Sequence, residues 1–158
     1  MPRTYDVSFE NVAVSAAQDL VTIIGAAGKI VKIKRMRVSA TDTSIPTAQM
    51  LQLRARFLPA TVTNGSGGST PTPRPLDPGD AAASLTAHAN DTVKSTTSGT
   101  ATTLEESGCH IYAGYDFTYP QDARPTVGPS EAFVFELLST VSGTVHMSGG
   151  VTVEEHGG

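Results

Sequence analysis

The sequence has little of what cross-linked or aromatic-rich domains are built from. It contains one cysteine, Cys109, and no tryptophan, and aromatic residues make up only 6% of the chain. A single cysteine excludes an internal disulfide framework, and we expect Cys109 to be a small buried apolar side chain. The absence of tryptophan removes the Cys–Trp–Cys pattern of an immunoglobulin domain, which otherwise is the main rival fold.

Long hydrophobic runs are also absent. No stretch of about 18 apolar residues occurs, so we expect no membrane-spanning helix and no membrane partner. The residues from Met1 to Asp6 are polar and lack the apolar core of a secretion signal. We therefore expect a protein that is made in a cytoplasm.

Charged residues are scarce and unevenly distributed. They make up 16% of the chain, where about a quarter is usual. The net charge is −4, but residues 1–60 contain eight basic and four acidic residues, whereas residues 61–158 contain three basic and eleven acidic ones. Such an asymmetry can be neutralised within the fold, between copies or against a partner, and the sequence leaves these alternatives open.

Basic residues recur along two predicted strands and form a candidate charged interface. The run from Lys29 to Arg37 could follow a phosphate backbone, but it lacks aromatic residues for base stacking and the overall charge is negative. Both facts argue against nucleic acid as a partner and favour pairing with the acidic second half, within or between subunits. The candidate residues are Lys32, Lys34, Arg35, Arg37, Arg54 and Arg56.

Alternation of apolar and polar residues predicts β-strands along most of the chain. The clearest case is residues 49–58, where Leu51 and Leu53 point to one face while Arg54 and Arg56 point to the other. Further alternating stretches are residues 5–16, 29–40, 109–117, 133–138 and 143–155.

Two of these stretches change phase, which predicts β-bulges near Asn11 and near Lys34–Arg35. Counting the shorter candidates gives about eight to ten strands. This number predicts an all-β fold, a two-sheet β-sandwich or jelly roll, in a single domain of residues 1–158. One short helix is predicted over residues 81–87, with Asp80 as its N-cap.

Residues 60–80 differ in kind from the strands. A glycine–serine stretch over residues 64–69 is typical of flexible segments, and the prolines that follow favour an extended conformation that cannot join a central strand. We predict a long extended arm that is ordered mainly by contacts with another chain. Its candidate contact residues are Pro71, Pro73, Arg74, Pro75 and Leu76.

No catalytic or cofactor motif accompanies these elements. The four histidines lack metal-ligand spacing, and no Gly-x-Ser-x-Gly elbow or phosphate-binding loop occurs. The adjacent pairs Glu105–Glu106 and Glu154–Glu155 diverge on a strand, which is poor geometry for carboxylate catalysis. We expect no catalytic residues, no metal and no cofactor, and a protein that is not an enzyme.

Four stretches carry a resemblance: residues 17–20, 28–33, 67–80 and 103–137, the last with Tyr115, Arg124–Pro125 and Phe133–Phe135. Together they resemble small β proteins of tailed bacteriophages. Over most of its length the chain resembles capsid decoration (cement) proteins with jelly-roll-type folds. The resemblance implies a structural virion protein that lies on the capsid surface, bridges major capsid protein subunits and forms a homotrimer.

Two other binding roles remain open at this point. Similar β folds occur in phage tail and fibre components, so a tail- or fibre-associated module is one alternative. The other is a carbohydrate- or host-surface-binding module, for which Tyr112, Tyr115 and Tyr119 are the clustered aromatic candidates.

Overall fold

The computed structural model describes residues 1–157, and within them it contains thirteen strands and no helix, hence no helix able to span a membrane. The strands are β1 (Arg3–Val14), β2 (Gln18–Ile24), β3 (Ile30–Ala40), β4 (Met50–Leu58), β5 (Val62–Thr63), β6 (Arg74–Pro75), β7 (Thr86–Asp91), β8 (Thr96–Thr97), β9 (Thr102–His110), β10 (Tyr115–Thr118), β11 (Thr126–Val127), β12 (Ala132–Leu137) and β13 (Val145–His156).

The strands form two main antiparallel sheets. The first sheet has the order β10-β3-β13-β1-β6, with β11 also paired to β3, and the second has the order β7-β2-β12-β4-β9. A third, two-stranded sheet joins β5 to β8. The predicted all-β class is confirmed, and the two main sheets give the fold its β-sandwich character.

One hydrophobic core joins the facing sides of the two main sheets. Alternate residues of each long strand enter it, because successive side chains of a strand point to opposite faces. Tyr5 and Val7 of the first sheet and Phe133 and Phe135 of the second are all buried in this cluster. Cys109 is buried in it too, as expected, and burial raises the pKa of its thiol.

Both predicted bulges are present and explain how the phase changes keep apolar residues in the core. The register of β1 against β13 shifts between Phe9 and Val12, where Asn11 has a φ of 50°. Between β3 and β13, Ile33 and Arg35 lie opposite consecutive residues, so Lys34 is the extra residue. Apolar side chains on both sides of each bulge therefore face inward.

The predicted helix over residues 81–87 is wrong. Residues 81–83 have no regular structure, and β7 begins at Thr86. Ala87 and Ala89 are buried because they alternate into the core, and a helix of seven residues has little stability of its own. The strand expected over residues 109–117 is also interrupted, by a turn at residues 111–113.

Residues 64–80 are not a free arm but a strap that runs along one side of the sandwich. Ser69 exchanges two backbone hydrogen bonds with Ala89 of β7, at the edge of the second sheet. Further along, Arg74 and Pro75 pair with β1, at the edge of the first sheet, and Leu76 donates its N–H to the Thr4 carbonyl at 2.9 Å. The strap therefore covers one edge of each main sheet.

Glycine is required where the strap lies against β7. A Cβ placed on Gly68 would lie 2.1 Å from the Ala89 carbonyl oxygen, and one on Gly65 would lie 2.3 Å from that of Val93. Neither distance is sterically possible for a carbon atom. The glycine–serine composition thus permits close backbone approach instead of flexibility.

We predict that Gly68→Ala lowers the free energy of unfolding by about 1–3 kcal/mol, because the methyl group forces the strap away from β7. The matched control is Gly79→Ala in the same strap, where the new Cβ meets only the Asp77 side chain at 3.4 Å. The control should change stability by less than about 0.5 kcal/mol. Urea denaturation of both variants measures this, and equal effects would contradict a closely packed strap.

Candidate interaction surfaces

The six candidate basic residues do not form one interface. Those of β3 lie on the outer face of the first sheet, since Ile33 and Met36 between them face the core. Arg54 and Arg56 of β4 lie on the outer face of the second sheet, on the opposite side of the sandwich. The predicted charged interface of Lys32, Lys34, Arg35, Arg37, Arg54 and Arg56 is therefore divided between two faces.

On the first sheet, an ion pair crosses the middle strand. Arg37 donates two hydrogen bonds to Asp6, at 3.0 and 2.8 Å, and Thr152 donates a third at 3.0 Å. Burial opposes the charge of Asp6, but the Arg37 guanidinium outweighs it and holds the pKa of Asp6 below its usual value. Gly150 leaves room for this contact, because a Cβ there would lie 3.2 Å from the guanidinium.

Another cation of the first sheet pairs with an acid from the second half of the chain, since Arg35 forms a two-bond ion pair with Asp116. Arg124, in the loop before β11, donates to Glu154 at 2.7 Å, which is a pair within the second half. The expected pairing between the basic and acidic halves is thus found within one chain. Lys34 donates to the Thr4 hydroxyl at 3.3 Å.

A buried ionic cluster lies on the outer face of the second sheet. Glu136 of β12 is fully buried and pairs with Arg54, with Lys94 at 3.0 Å and with Arg56 at 3.5 Å. Burial opposes its charge, yet the hydrogen bonds from Arg54 and Lys94 keep the pKa of Glu136 below its usual value. The cations and the carboxylate of this cluster pair with one another. This part of the sheet surface therefore does not present a group of unpaired positive charges.

A second carboxylate, Asp19, completes this cluster. It accepts the Ser95 N–H at 2.7 Å and lies 3.3 Å from Arg56. Its pKa is raised, because burial outweighs these contacts. Beside the cluster, Leu58 and Val134 pack against Val62 of β5, so the β5–β8 sheet lies over part of this face. We infer a structural role for the cluster.

An exposed apolar patch lies at one end of the sandwich. We call it the end patch, and it consists of Ile45, Pro46 and Tyr112. Ile45 is 86% exposed and Tyr112 55%, and the Tyr112 hydroxyl donates to the Pro46 carbonyl at 2.8 Å. A groove of about 390 Å³ lies between the two loops that carry it. Large apolar residues inside the polar loop 41–49 are the sequence signal for this patch, and sequence reasoning missed it.

The other uncovered feature is the outer edge of β9. This strand pairs with β4 on one side and ends the second sheet on the other. Among residues 1–157, no backbone hydrogen bond outside the sheet involves residues 102–109. The strand therefore presents unpaired backbone groups to solvent over most of its length.

The tyrosines proposed for carbohydrate binding do not form a platform. Tyr119 is buried and packs edge-on against Phe117, with ring centroids 4.9 Å apart. Tyr115 is half-buried; its hydroxyl donates to Glu105 at 2.5 Å, and burial together with this bond raises its pKa to about 12. Of the three tyrosines, Tyr112 is the exposed one. A carbohydrate would therefore meet one tyrosine ring and not a cluster of three.

The candidate contact residues of the predicted arm lie within the strap. Pro71, Pro73 and Pro75 are half-buried, while Arg74 and Leu76 are exposed. We expected contacts with another chain to order this segment, but residues of the same chain pair with it. A contact of Arg74 or Leu76 with a partner stays a prediction.

The described residues 1–157 contain no group of three or more histidine, cysteine, aspartate or glutamate side chains placed to hold a metal ion. Comparison of the chain with protein-family models, with curated proteins and with solved structures finds no match.

Proposed function

We propose that this chain is a structural virion protein that binds the outer surface of a tailed-phage capsid. In this role it bridges major capsid protein subunits, acts as a homotrimer of jelly-roll-type domains and catalyses no reaction. The observation that carries the proposal is the end patch, an exposed apolar surface on a domain whose buried carboxylates are engaged by cations or by backbone N–H groups. The resemblance in sequence supplies the identity of the partner.

The charged groups support binding over catalysis. A catalytic carboxylate needs access to a substrate, whereas Glu136 and Asp19 are sealed under neighbouring residues and neutralised by cations. Tyr115 and Cys109 keep their protons at neutral pH, since burial raises the pKa of both. The strongest electrostatic features of the molecule thus stabilise the fold.

The end patch has the composition of an interface centre. Tyrosine is enriched in such centres, and an apolar side chain as exposed as Ile45 gains most when a partner covers it. In the proposed assembly this end of the sandwich faces the capsid surface, and the polar outer face of the first sheet remains in water.

The location of the protein is the decisive measurement. We expect mass spectrometry of purified virions to detect the chain, and electron microscopy of the particles to place it on the head. Density at the tail or fibres would contradict capsid binding and favour a tail- or fibre-associated role. Absence of the chain from purified particles would contradict a virion role altogether.

Binding through the end patch is tested with capsids that lack the protein. We expect Ile45→Ser and Tyr112→Ala to weaken co-sedimentation with these capsids at least about tenfold, as for central interface residues. Val93→Ser is the matched control, because Val93 is also exposed and apolar but lies outside the patch. Unchanged binding of both patch variants would show that another surface makes the contact.

A further inference from the structure

The edges of the two main sheets differ in how far other residues cover them. The strap covers β7 and β1, and β10 is only four residues long. By contrast β9 has nine residues, which corresponds to roughly 30 Å of strand, and its outer side has no neighbour within residues 1–157. An open edge of this length is a template for strand addition by another chain.

The open edge is acidic. Glu105 and Glu106 are adjacent on β9, and neither forms an ion pair with a residue of the described chain, 1–157. Arg54 lies opposite Glu106 in the register but is engaged by the buried Glu136. The carboxylate of Glu106 is therefore free to pair with a cation from outside.

Part of the strand is better suited to pairing than the rest. The register of β9 against β4 skips Leu104, which is a bulge residue and 43% exposed. Bulges at an edge disturb the ladder locally and limit pairing. The regular segment that remains runs from Glu105 to His110, where the His110 carbonyl already accepts the N–H groups of Ala113 and Gly114 in the following turn.

A second copy of this chain is a poor occupant of the edge. The regular segment of β9 contains two glutamates and no lysine or arginine, so a second β9 strand offers no cation to Glu106. Opposite charges across a strand pair stabilise it. Glu106 therefore favours a partner strand of opposite charge over a second copy of β9.

We propose that the outer edge of β9 binds an extended segment of a different protein, which adds as a strand along residues 105–110 and places a lysine or arginine opposite Glu106. Small residues such as Ser107 and Gly108 leave the neighbouring positions tolerant of different side chains. Backbone pairing supplies the affinity and Glu106 supplies the selectivity for a basic strand. The Glu105 carboxylate instead accepts the hydroxyl groups of Tyr115 and Ser107. This inference goes beyond the proposed function, because it does not require the partner to be a capsid protein.

The test uses the full chain and synthetic nonapeptides. The probe is a fluorescein-labelled peptide of alternating valine and lysine; one control replaces the lysines by glutamate and another replaces the central valine by proline, which cannot pair as a strand. We expect the lysine peptide to bind in anisotropy titrations, with amide chemical-shift changes centred on residues 105–110. Both controls should bind at least about tenfold more weakly.

A charge reversal makes the test specific. Glu106→Lys should lose the lysine peptide and gain the glutamate peptide, whereas Glu10→Lys, at an exposed acid elsewhere on the surface, should leave the preference unchanged. Equal binding of the proline peptide, shift changes away from β9, or no binding up to about 1 mM peptide would overturn the proposal. Because no capsid is present, failure here leaves the virion assay unaffected, and absence from virions leaves the peptide result standing.

Discussion

Replacing Glu136 by glutamine is expected to lower the free energy of unfolding by about 3 kcal/mol, at the lower end of the range for breaking a buried ion pair. The side chain of Glu136 is fully buried, and removing its charge takes away the carboxylate partner of Arg54 and Lys94, while Arg56 keeps Asp19 at 3.3 Å. Arg54 and Lys94 are about a third exposed, so both can regain some hydration. That partial hydration places the effect at the lower end.

A surface ion pair provides the control for this variant. Asp116→Asn breaks the pair with Arg35, in which both side chains are roughly half exposed, and should cost less than about 1 kcal/mol. Urea denaturation of the two variants at pH 7 gives the comparison. Equal losses would mean that the cluster around Glu136 is hydrated and not buried.

The pH dependence of the Glu136 effect has a definite sign. The pKa of Glu136 is lower in the folded protein than in the unfolded chain, so its ionisation stabilises the fold above the unfolded value of about 4.3. This contribution is lost as the pH falls through the lower folded pKa. The stability difference between the protein and Glu136→Gln should therefore shrink as the pH falls below about 4.

Phe135→Ala is expected to lower the free energy of unfolding by about 3–5 kcal/mol, the cost of removing a buried aromatic ring from a packed core. Phe135 lies at the centre of β12, the middle strand of the second sheet, and pairs with Val21 and Ala55. For a chain of this size, the melting temperature should fall by roughly 6–20 °C.

The ring of Phe135 also connects the two sheets. It lies 6.0 Å from the ring of Tyr115 in β10, whose hydroxyl bonds to Glu105 of β9. Removal of the ring should therefore loosen the open side of the sandwich as well as the core. Hydrogen exchange should show a larger loss of protection in β9 and β10 than in β1, whose far edge the strap holds. A uniform loss would indicate that Phe135 acts only through global stability.

Phe135→Leu separates ring loss from cavity formation. Leucine refills much of the space, so most of the stability should return, while the aromatic contact with Tyr115 stays absent. If β9 remains less protected in this variant, the Phe135–Tyr115 contact itself orders the open edge. Full recovery of protection would instead assign the effect to the cavity.

Much of the fold follows from local patterns in the sequence and could be predicted. Alternation at a period of two predicts a strand whatever its neighbours are, which is why the strand around Leu51 and the long C-terminal strand were correct. The bulges near Asn11 and Lys34 followed from the same argument, since a phase change must be absorbed if both halves face one core. Burial of Cys109 was likewise expected from residue type.

The errors arose where local preference is weak and distant contacts decide. The alanines of residues 81–89 suit a short helix or a strand, and packing of Ala87 and Ala89 against the core selected the strand. Glycine and proline predict a flexible, extended backbone along residues 64–80. The pairing of this segment with β7 and β1 depends on sheet edges that other parts of the chain form.

The candidate surfaces divide in the same way. The sequence by itself determined an all-β chain with a basic first part and an acidic remainder, because strand periodicity and charge are properties of consecutive residues. Only the tertiary structure decided that Glu136 pairs with the cations of β4 and that Ile45 and Tyr112 lie together at one end of the sandwich. It also decided that Glu105 and Glu106 lie on a strand at an uncovered edge. Partners and exposure depend on which distant strands become neighbours, and no local pattern encodes that choice.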